Sequence, residues 1–235
     1  KYYNMKNIVI ATIKEWNINN YFELKKELEN EYSLYLLTNK DELSFKNIEK
    51  INPKYIFFPH WSWIIPENIY KNYECILFHM TDLPYGRGGS PLQNLIINKV
   101  YNTKISALKV TKGLDEGDIY LKEDFDISKG SANEIYINAS KLIFKKLIPN
   151  ILRQNPTPVR QEGDVVNFKR RTPEQSNIKM LNDVSIANLY DFIRMLDAPS
   201  YPKAYLELDN LKMELFEVII KDGKLEGRFE VSKDE

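Results

Sequence analysis

The 235-residue chain is short of cysteine and histidine, with only Cys75, His60 and His79. A lone thiol excludes an internal disulfide and a thiolate zinc site, and it fits a reducing compartment, so a cytoplasmic protein is expected. Excess charge is missing as well: 33 Lys and Arg stand against 33 Asp and Glu. A chain without a basic footprint is not expected to grip long nucleic acid. Long apolar runs are absent too. Tyr55 to Phe58 and Leu215 to Ile220 fall far short of the roughly 20 residues a membrane-spanning helix needs, so no membrane association is expected. Lys1 to Asn4 precede Met5, carry no structural signal and read as a remnant of expression.

What is present is an alternation of apolar β-rich runs with helical patterns. Lys6 to Ile13 reads as a strand, and Tyr21 to Glu31 places Phe22, Leu24 and Leu28 near helical spacing. Tyr32 to Thr38 is a second strand, Phe45 to Ile51 a second helix, Tyr55 to His60 a third strand and Cys75 to Met80 a fourth. Near-continuous apolar strands separated by helices predict an α/β fold, with a Rossmann-like, mostly parallel sheet covered by helices on both faces. Ligands bind such sheets beyond the carboxyl ends of the strands, where His60 and His79 both fall. A loop rich in Gly and Pro (LPYGRGGSP) then leads to a helix at Leu92 to Asn98. Strands follow at Ile105 to Thr111 and Asp118 to Phe125, joined by KGLDEG, and a helix runs from Ala132 to Leu152. Asn155 to Val159 (NPTPV) reads as a linker. Two domains are expected, 5–155 as a Rossmann-like catalytic domain and 156–235 as a small β-rich α+β subdomain. The second holds a helix around Ser185 to Leu196, alternating segments at Ala204 to Leu208 and Lys212 to Ile220, and a DG turn at Asp222 and Gly223 before a last strand through Val231.

The block Leu77 to Gln93, LFHMTDLPYGRGGSPLQ, delivers His79 to a turn carrying Asp82, Pro84, Arg87 and adjacent glycines. An imidazole titrates near neutral pH and donates to a developing oxyanion or relays a proton once a carboxylate orients it. Glycines such as Gly88 let backbone approach a ligand closely. Taken alone, a histidine at a strand end is more often a satisfied structural residue.

This arrangement resembles the formyltransferases that use N10-formyltetrahydrofolate, in which a strand ends in Asn-x-His followed by Leu-Pro, Arg-Gly and Ser-Pro. Here those elements are His79, Leu83, Pro84, Arg87, Gly88, Ser90 and Pro91. A second motif, an Asp two residues before a Gly in a turn between strands, is matched by Asp115 and Gly117. A third match is RRTPEQSNI at Arg170 to Ile178, followed by Ile193, Arg194 and PSYPKA. The likeness runs from Met5 to about Ile220 and departs at one point, where Leu77 replaces the family's Asn. An apolar side chain supplies no oxyanion donor. Thr81, on the same strand parity, and His60, from the neighbouring strand end, are candidate replacements.

The resemblance implies attack by a neutral amine on the formyl carbonyl, with His79 stabilising the oxyanion and Asp115 holding the charged ring and accepting the amine proton. No metal is required. The co-substrate N10-formyltetrahydrofolate is expected against Trp61, Trp63, Ile64, Val110, Gly113 and Leu114. Lys14, Trp16, His60, Arg87 and Gly88 are the residues expected to meet the acceptor, although Trp16 reads equally as a cover for the first helix. The turn KEWN lacks GxGxxG, which removes the main support for a dinucleotide. The family's tRNA enzymes carry a longer basic carboxyl-terminal domain, so a nucleotide-linked amino sugar, such as a 4-amino-4,6-dideoxy sugar on UDP or dTDP, is the expected small-molecule acceptor. Methionyl-tRNA, a carrier-bound aminoacyl group and a silent folate-binding protein stay open as alternatives. The apolar alternation at Met213 to Ile219 would serve a core or, equally, a homodimer surface.

Overall fold

The structure is a computed structural model that describes residues 5–199 and 201–233. The segment Lys1 to Asn4 lies outside the described residues. Two compact units interleave along the chain. The first comprises residues up to Arg87, Lys104–Phe125 and Ile137–Val166; the second comprises Gly88–Thr103, Asp126–Tyr136 and the residues from Asn167 onward.

The first unit is built on strands β1 (Lys6–Ala11), β2 (Tyr32–Leu37), β3 (Tyr55–Phe58) and β4 (Cys75–His79). A short strand β5 (Tyr85–Gly88) lies inside the Gly/Pro-rich loop, and β6 (Asn102–Lys109) and β7 (Ile119–Asp126) complete the series. The six-stranded sheet has the order β2-β1-β3-β4-β6-β7. Its first four strands run parallel and β6 runs antiparallel to β4. The expected mostly parallel α/β sheet is therefore present. Ile8, Val9 and Ile10 of β1 and Ile56 and Phe57 of β3 are fully buried, as strands covered on both faces require. Val9, Ile56 and Cys75 share one face with Ile48 of helix α2 (Phe45–Ile51) and Ile69 of the short helix α3 (Glu67–Tyr70).

Several boundaries differ from the sequence expectation. Helix α1 spans Glu15–Glu27, starting a turn and a half earlier than Tyr21. Its first turn is polar, and the inward residue there is Asn17, which donates to Thr12 Oγ1 and to the Pro59 carbonyl, both at 3.0 Å. A buried amide carries no apolar signal, so hydrophobic spacing alone missed that turn. The long helix expected from Ala132 is α5 (Ala132–Leu142), a wider π segment Ile143–Leu147, and α6 (Ile148–Gln154). Pro149 lacks the N–H and crowds the carbonyl one turn back, and the wider turn relieves both constraints. The stretch read as a linker is also tied down, because Val159 and Ile119 exchange backbone hydrogen bonds of 2.7 and 2.9 Å.

The second unit contains α4 (Pro91–Ile97), the strand β8 (Val166–Phe168) for its greater part, α7 (Ile186–Arg194) and a three-stranded antiparallel sheet. That sheet is ordered β11 (Lys224–Lys233), β10 (Leu211–Lys221), β9 (Ala204–Leu208). Ser185 caps α7 by accepting from the Asn188 N–H at 3.1 Å. Asp222 and Gly223 both have positive φ, 50° and 72°, which is the two-residue hairpin the DG pair predicts.

Candidate active site

His79 is the last residue of β4, on the face that also carries Cys75 and Leu77. Register fixes its surroundings: Leu77 lies opposite Leu108 and His79 opposite Ser106 of the antiparallel β6. Ser106 Oγ donates to the Thr81 carbonyl at 2.7 Å and accepts from the Leu83 N–H at 3.4 Å, so it pins the chain as it leaves the strand. The Leu83–Pro84 bond is cis. Lys122 Nζ then bridges Asp82 Oδ1 and the Leu83 carbonyl, at 2.6 and 2.5 Å. Asp82 is accordingly an exposed partner of a lysine, as expected of a solvated carboxylate.

The loop folds back so that the Gly86 carbonyl accepts from His79 Nε2 at 2.7 Å. Gly86 has φ +80°, which turns that carbonyl toward the ring at a conformation other residues resist. The opposite ring nitrogen, Nδ1, lies 3.7 Å from Asp115 Oδ2. Acceptors therefore face both ring nitrogens. Both side chains are largely buried, with 8% of each residue exposed. A separation of 3.7 Å is longer than a hydrogen bond.

Asp115 reaches this point because its turn is held from behind. It has φ +54°, and a Cβ added to Gly117 would lie 1.7 Å from the Lys109 carbonyl oxygen, so the turn crosses its own strand where only glycine fits. Gln161 then clamps the turn: its Nε2 donates to the Asp115 and Gly117 carbonyls, at 2.8 and 2.9 Å. Its Oε1 accepts from Arg87 Nε and Nη2, at 3.1 and 2.8 Å. Arg87 Nη1 is 3.8 Å from Glu116 Oε1. Gln161 has no signal in the sequence; it follows the presumed linker and is linked to Asp115 only by the fold.

The other expected site residues divide into those the geometry places usefully and those it gives another duty. Thr81 is fully buried and donates its one proton to the Gly86 carbonyl at 3.3 Å, which positions that carbonyl and leaves no donor for a reacting oxygen. Arg87 is held by Gln161, an internal partner. Gly88, at φ +103°, is required by the chain itself, since a Cβ there would lie 2.4 Å from the Phe168 carbonyl oxygen. Leu77 packs into apolar clusters with Phe58 on one side and Leu83 and Leu108 on the other. Cys75 is buried, and burial pushes its thiol up to about 12, so it supplies no thiolate.

Beside this centre, at the end of β3, His60 is exposed and has φ +64°. Loss of solvation around the ring, with the Lys14 charge beside it, lowers its pKa to about 4. His60 is therefore neutral near pH 7. Lys14 Nζ lies 5.8 Å from the Trp16 ring, so three of the expected acceptor residues do cluster. Trp61 packs edge-on against Phe58 and Trp63, at 6.1 and 4.9 Å between ring centres. Its Nε1 is buried without a hydrogen-bond partner. Trp63, Ile64 and Leu114 expose apolar surface, while Val110 is buried and its N–H donates to the Cys75 carbonyl at 2.9 Å. Gly113 faces Glu116, whose Oε2 would lie 2.0 Å from an added Cβ. Among the described residues, no group of three His, Cys, Asp or Glu side chains stands ready to hold a metal ion. None of the described helices is long and apolar enough to cross a membrane.

Comparison with known proteins follows the same lines. Residues 173–232 match the family model described as methionyl-tRNA formyltransferase, C-terminal domain. The chain is 26% identical over 198 residues to the methionyl-tRNA formyltransferase of Campylobacter jejuni subsp. doylei, covering 83% of this chain and 64% of that protein. A 33% identical match of the same description from Rickettsia massiliae covers 45% of its length, so the chain spans about half to two thirds of the curated relatives it matches. In fold it resembles a sugar N-formyltransferase from a Shewanella species, with TM-score 0.70 at 15% identity and 97% of that chain covered. A solved structure described as methionyl-tRNA formyltransferase from Clostridium thermocellum superposes with TM-score 0.93 at 49% identity, covering 97% of this chain and 100% of that one. An identity of that size over two whole chains, on the sheet that brings His79 to Asp115, shows that the protein belongs to the formyltransferase family.

Proposed function

We propose that this chain moves a formyl group from N10-formyltetrahydrofolate to a primary amine, and that the amine is the α-amino group of methionyl-tRNA. The observation that carries the reaction is the His79–Asp115 pair, 3.7 Å apart and largely buried at the mouth of the sheet. Support for the acceptor comes from likeness to proteins described as methionyl-tRNA formyltransferases. This departs from the expectation of no nucleic-acid partner, which rested on net charge and on the short, mixed-charge carboxyl-terminal part; a zero sum says nothing about how charges are distributed over a surface.

In this reading the neutral amine nitrogen attacks the formyl carbon beside the His79–Asp115 pair. The oxyanion that forms accepts from the His79 Nδ1–H, and Asp115 holds the ring charged and receives the proton the amine must lose. Collapse breaks the carbon–N10 bond, and N10 leaves with a proton, giving the formamide and tetrahydrofolate. Leu77 offers no donor, so His79 carries the oxyanion without help from that position. Trp63, Ile64 and Leu114 are the apolar side chains suited to cover the flat pterin ring, and Lys14 with Trp16 suits a phosphate and a base. Arg87 and Gln161 act at one remove, as positioning residues for the Asp115 turn.

A nucleotide-linked amino sugar is the second reading, supported by the likeness in fold to a sugar N-formyltransferase. Incubation with N10-formyltetrahydrofolate and either methionyl-tRNA or a panel of nucleotide-linked 4-amino-4,6-dideoxy sugars, read by mass spectrometry, separates the two. Formylmethionine on the tRNA supports the first reading. Formylated sugar alone moves the acceptor to the second, and tight folate binding with no product from any amine overturns the transferase reading.

A further inference from the structure

The first unit buries a chain of uncharged polar side chains in a place where apolar packing would fill the same space. Thr12, Asn17 and Ser140 are all buried. Asn20 Nδ2 donates to Ser140 Oγ at 2.7 Å, and Ser140 Oγ donates to Asn17 Oδ1 at 2.5 Å. The Asn17 amide donates in turn to Thr12 Oγ1 and to the Pro59 carbonyl, and Thr12 Oγ1 donates to that same carbonyl at 2.5 Å. The chain therefore ends on one oxygen, whose two lone pairs it fills. Both donors are backed by fixed elements. The Thr12 N–H donates to the Leu37 carbonyl at the end of β2, at 3.0 Å, and Ser140 is carried by α5.

Buried hydrogen bonds of this kind contribute little net stability, because the unfolded chain makes equivalent ones to water. What they add is direction. Pro59 follows the last residue of β3, and its carbonyl belongs to the peptide that leads into His60. Two donors on that oxygen fix the plane of the peptide, and His60 on its far side has φ +64°. A residue with a β-carbon keeps such a conformation where its surroundings hold it. Asn17, for its part, lies one turn along α1 from Lys14, whose carbonyl accepts from the Ile18 N–H at 3.0 Å. One amide thus joins the segment that carries Lys14 and Trp16 to the segment that carries His60.

We propose that Asn17 is a positioning residue for the acceptor. By locking the Pro59 carbonyl to the first turn of α1, it sets His60 beside Lys14 and Trp16, so that imidazole, cation and indole meet the acceptor as one preformed surface. This role rests on the reading of those three residues as acceptor contacts. A preformed surface loses less freedom on binding, so the benefit falls on acceptor affinity. The chemical step belongs to His79 and Asp115, which other elements carry. A neutral His60 held near the Lys14 charge is what such a lock produces.

Three substitutions test it. Asn17→Leu keeps a branched side chain and removes the amide donors, Thr12→Val removes the other donor to Pro59, and Thr12→Ser keeps the hydroxyl. With methionyl-tRNA, or with the nucleotide-linked amino sugar if that is what the wild-type chain formylates, N17L is expected to raise the acceptor KM about tenfold and T12V about threefold. In both, kcat should stay within about threefold of wild type, and T12S should match wild type. The titration of His60 is a second readout that needs no acceptor. Followed by NMR, with His60→Asn identifying which of the two histidine signals is which, the wild-type pKa of about 4 should rise toward 6.5 in N17L and T12V, by about one unit in the former. Circular dichroism shows which variants fold, and T12V carries the test where N17L does not. A folded variant whose acceptor KM or His60 titration stays at the wild-type value overturns the role, as does a fall in kcat at unchanged KM. A wild-type chain that formylates neither acceptor ends the transferase reading, and this role with it, before any variant is compared.

Discussion

The ends of β3 and β4 present a histidine each, side by side on one sheet edge, and the fold treats them in opposite ways. His79 is buried, with the Gly86 carbonyl on one ring nitrogen and the Asp115 carboxylate near the other. His60 is exposed, held at positive φ, and has the Lys14 cation for a neighbour. Acceptors face both nitrogens of the first; a cation beside the second favours a ring without charge. Position on the sheet thus names candidates, while the neighbours contributed by distant loops decide what each imidazole does.

Removing the parts that distinguish His79 breaks the comparison most strongly. His79→Ala and Asp115→Asn are each expected to lower kcat about a thousandfold with little change in folate affinity, measured by single-turnover kinetics and folate titration. An activity within tenfold of wild type for either would remove the pair from the chemistry. Gly117→Ala comes next, because its new methyl group would meet the Lys109 carbonyl. We expect about 2 kcal/mol of lost stability by urea unfolding together with reduced kcat, since the turn must shift and carry Asp115 with it. Gln161→Ala, which leaves Arg87 and two carbonyls without their clamp, is expected to cost about tenfold in kcat with KM nearly unchanged; Gln161→Glu keeps the acceptor for Arg87 but loses the donors, so it should not restore the rate.

The smallest effect sharpens the contrast from the other side. In the folded chain the His60 pKa is lowered from 6.5 to about 4, so below pH 6.5 the unfolded chain binds a proton that the folded chain refuses. Stability from this group is present above 6.5 and lost as pH falls toward 4. His60→Asn, which accepts the same backbone conformation, is expected to flatten the stability-against-pH slope in that window and to change kcat by no more than a few-fold. A slope unchanged by the substitution would mean that Lys14 and desolvation do not act on the ring.

The legible part of the candidate site is the pair proposed to carry the chemistry. His79 is marked by the end of an apolar strand, and Asp115 by a turn with glycine two residues on. The residues that aim them were illegible. Gln161 sits after a segment that reads as a linker, and Ser106 is a small polar residue within an otherwise apolar strand. Arg87 and Gly88 are visible in the sequence as candidate acceptor contacts, whereas the duties the fold gives them within the chain, Arg87 on Gln161 and Gly88 against the Phe168 carbonyl, are not. In the fold, the parallel strands announced themselves through continuous Val, Ile and Phe, whereas the first turn of α1 was hidden because the side chain it buries is an asparagine.

Local pattern alone determined most of the longer elements and their kind, because burial on two faces, hairpin turns and strand ends each write a short-range signature of residue types. Strand order, the return of the chain from Pro158 through Val166 to the site, and the separation between imidazole and carboxylate belong to the tertiary structure. Those depend on which distant segments end up adjacent, and a hydrogen bond between residues far apart in sequence leaves no periodicity in either of them.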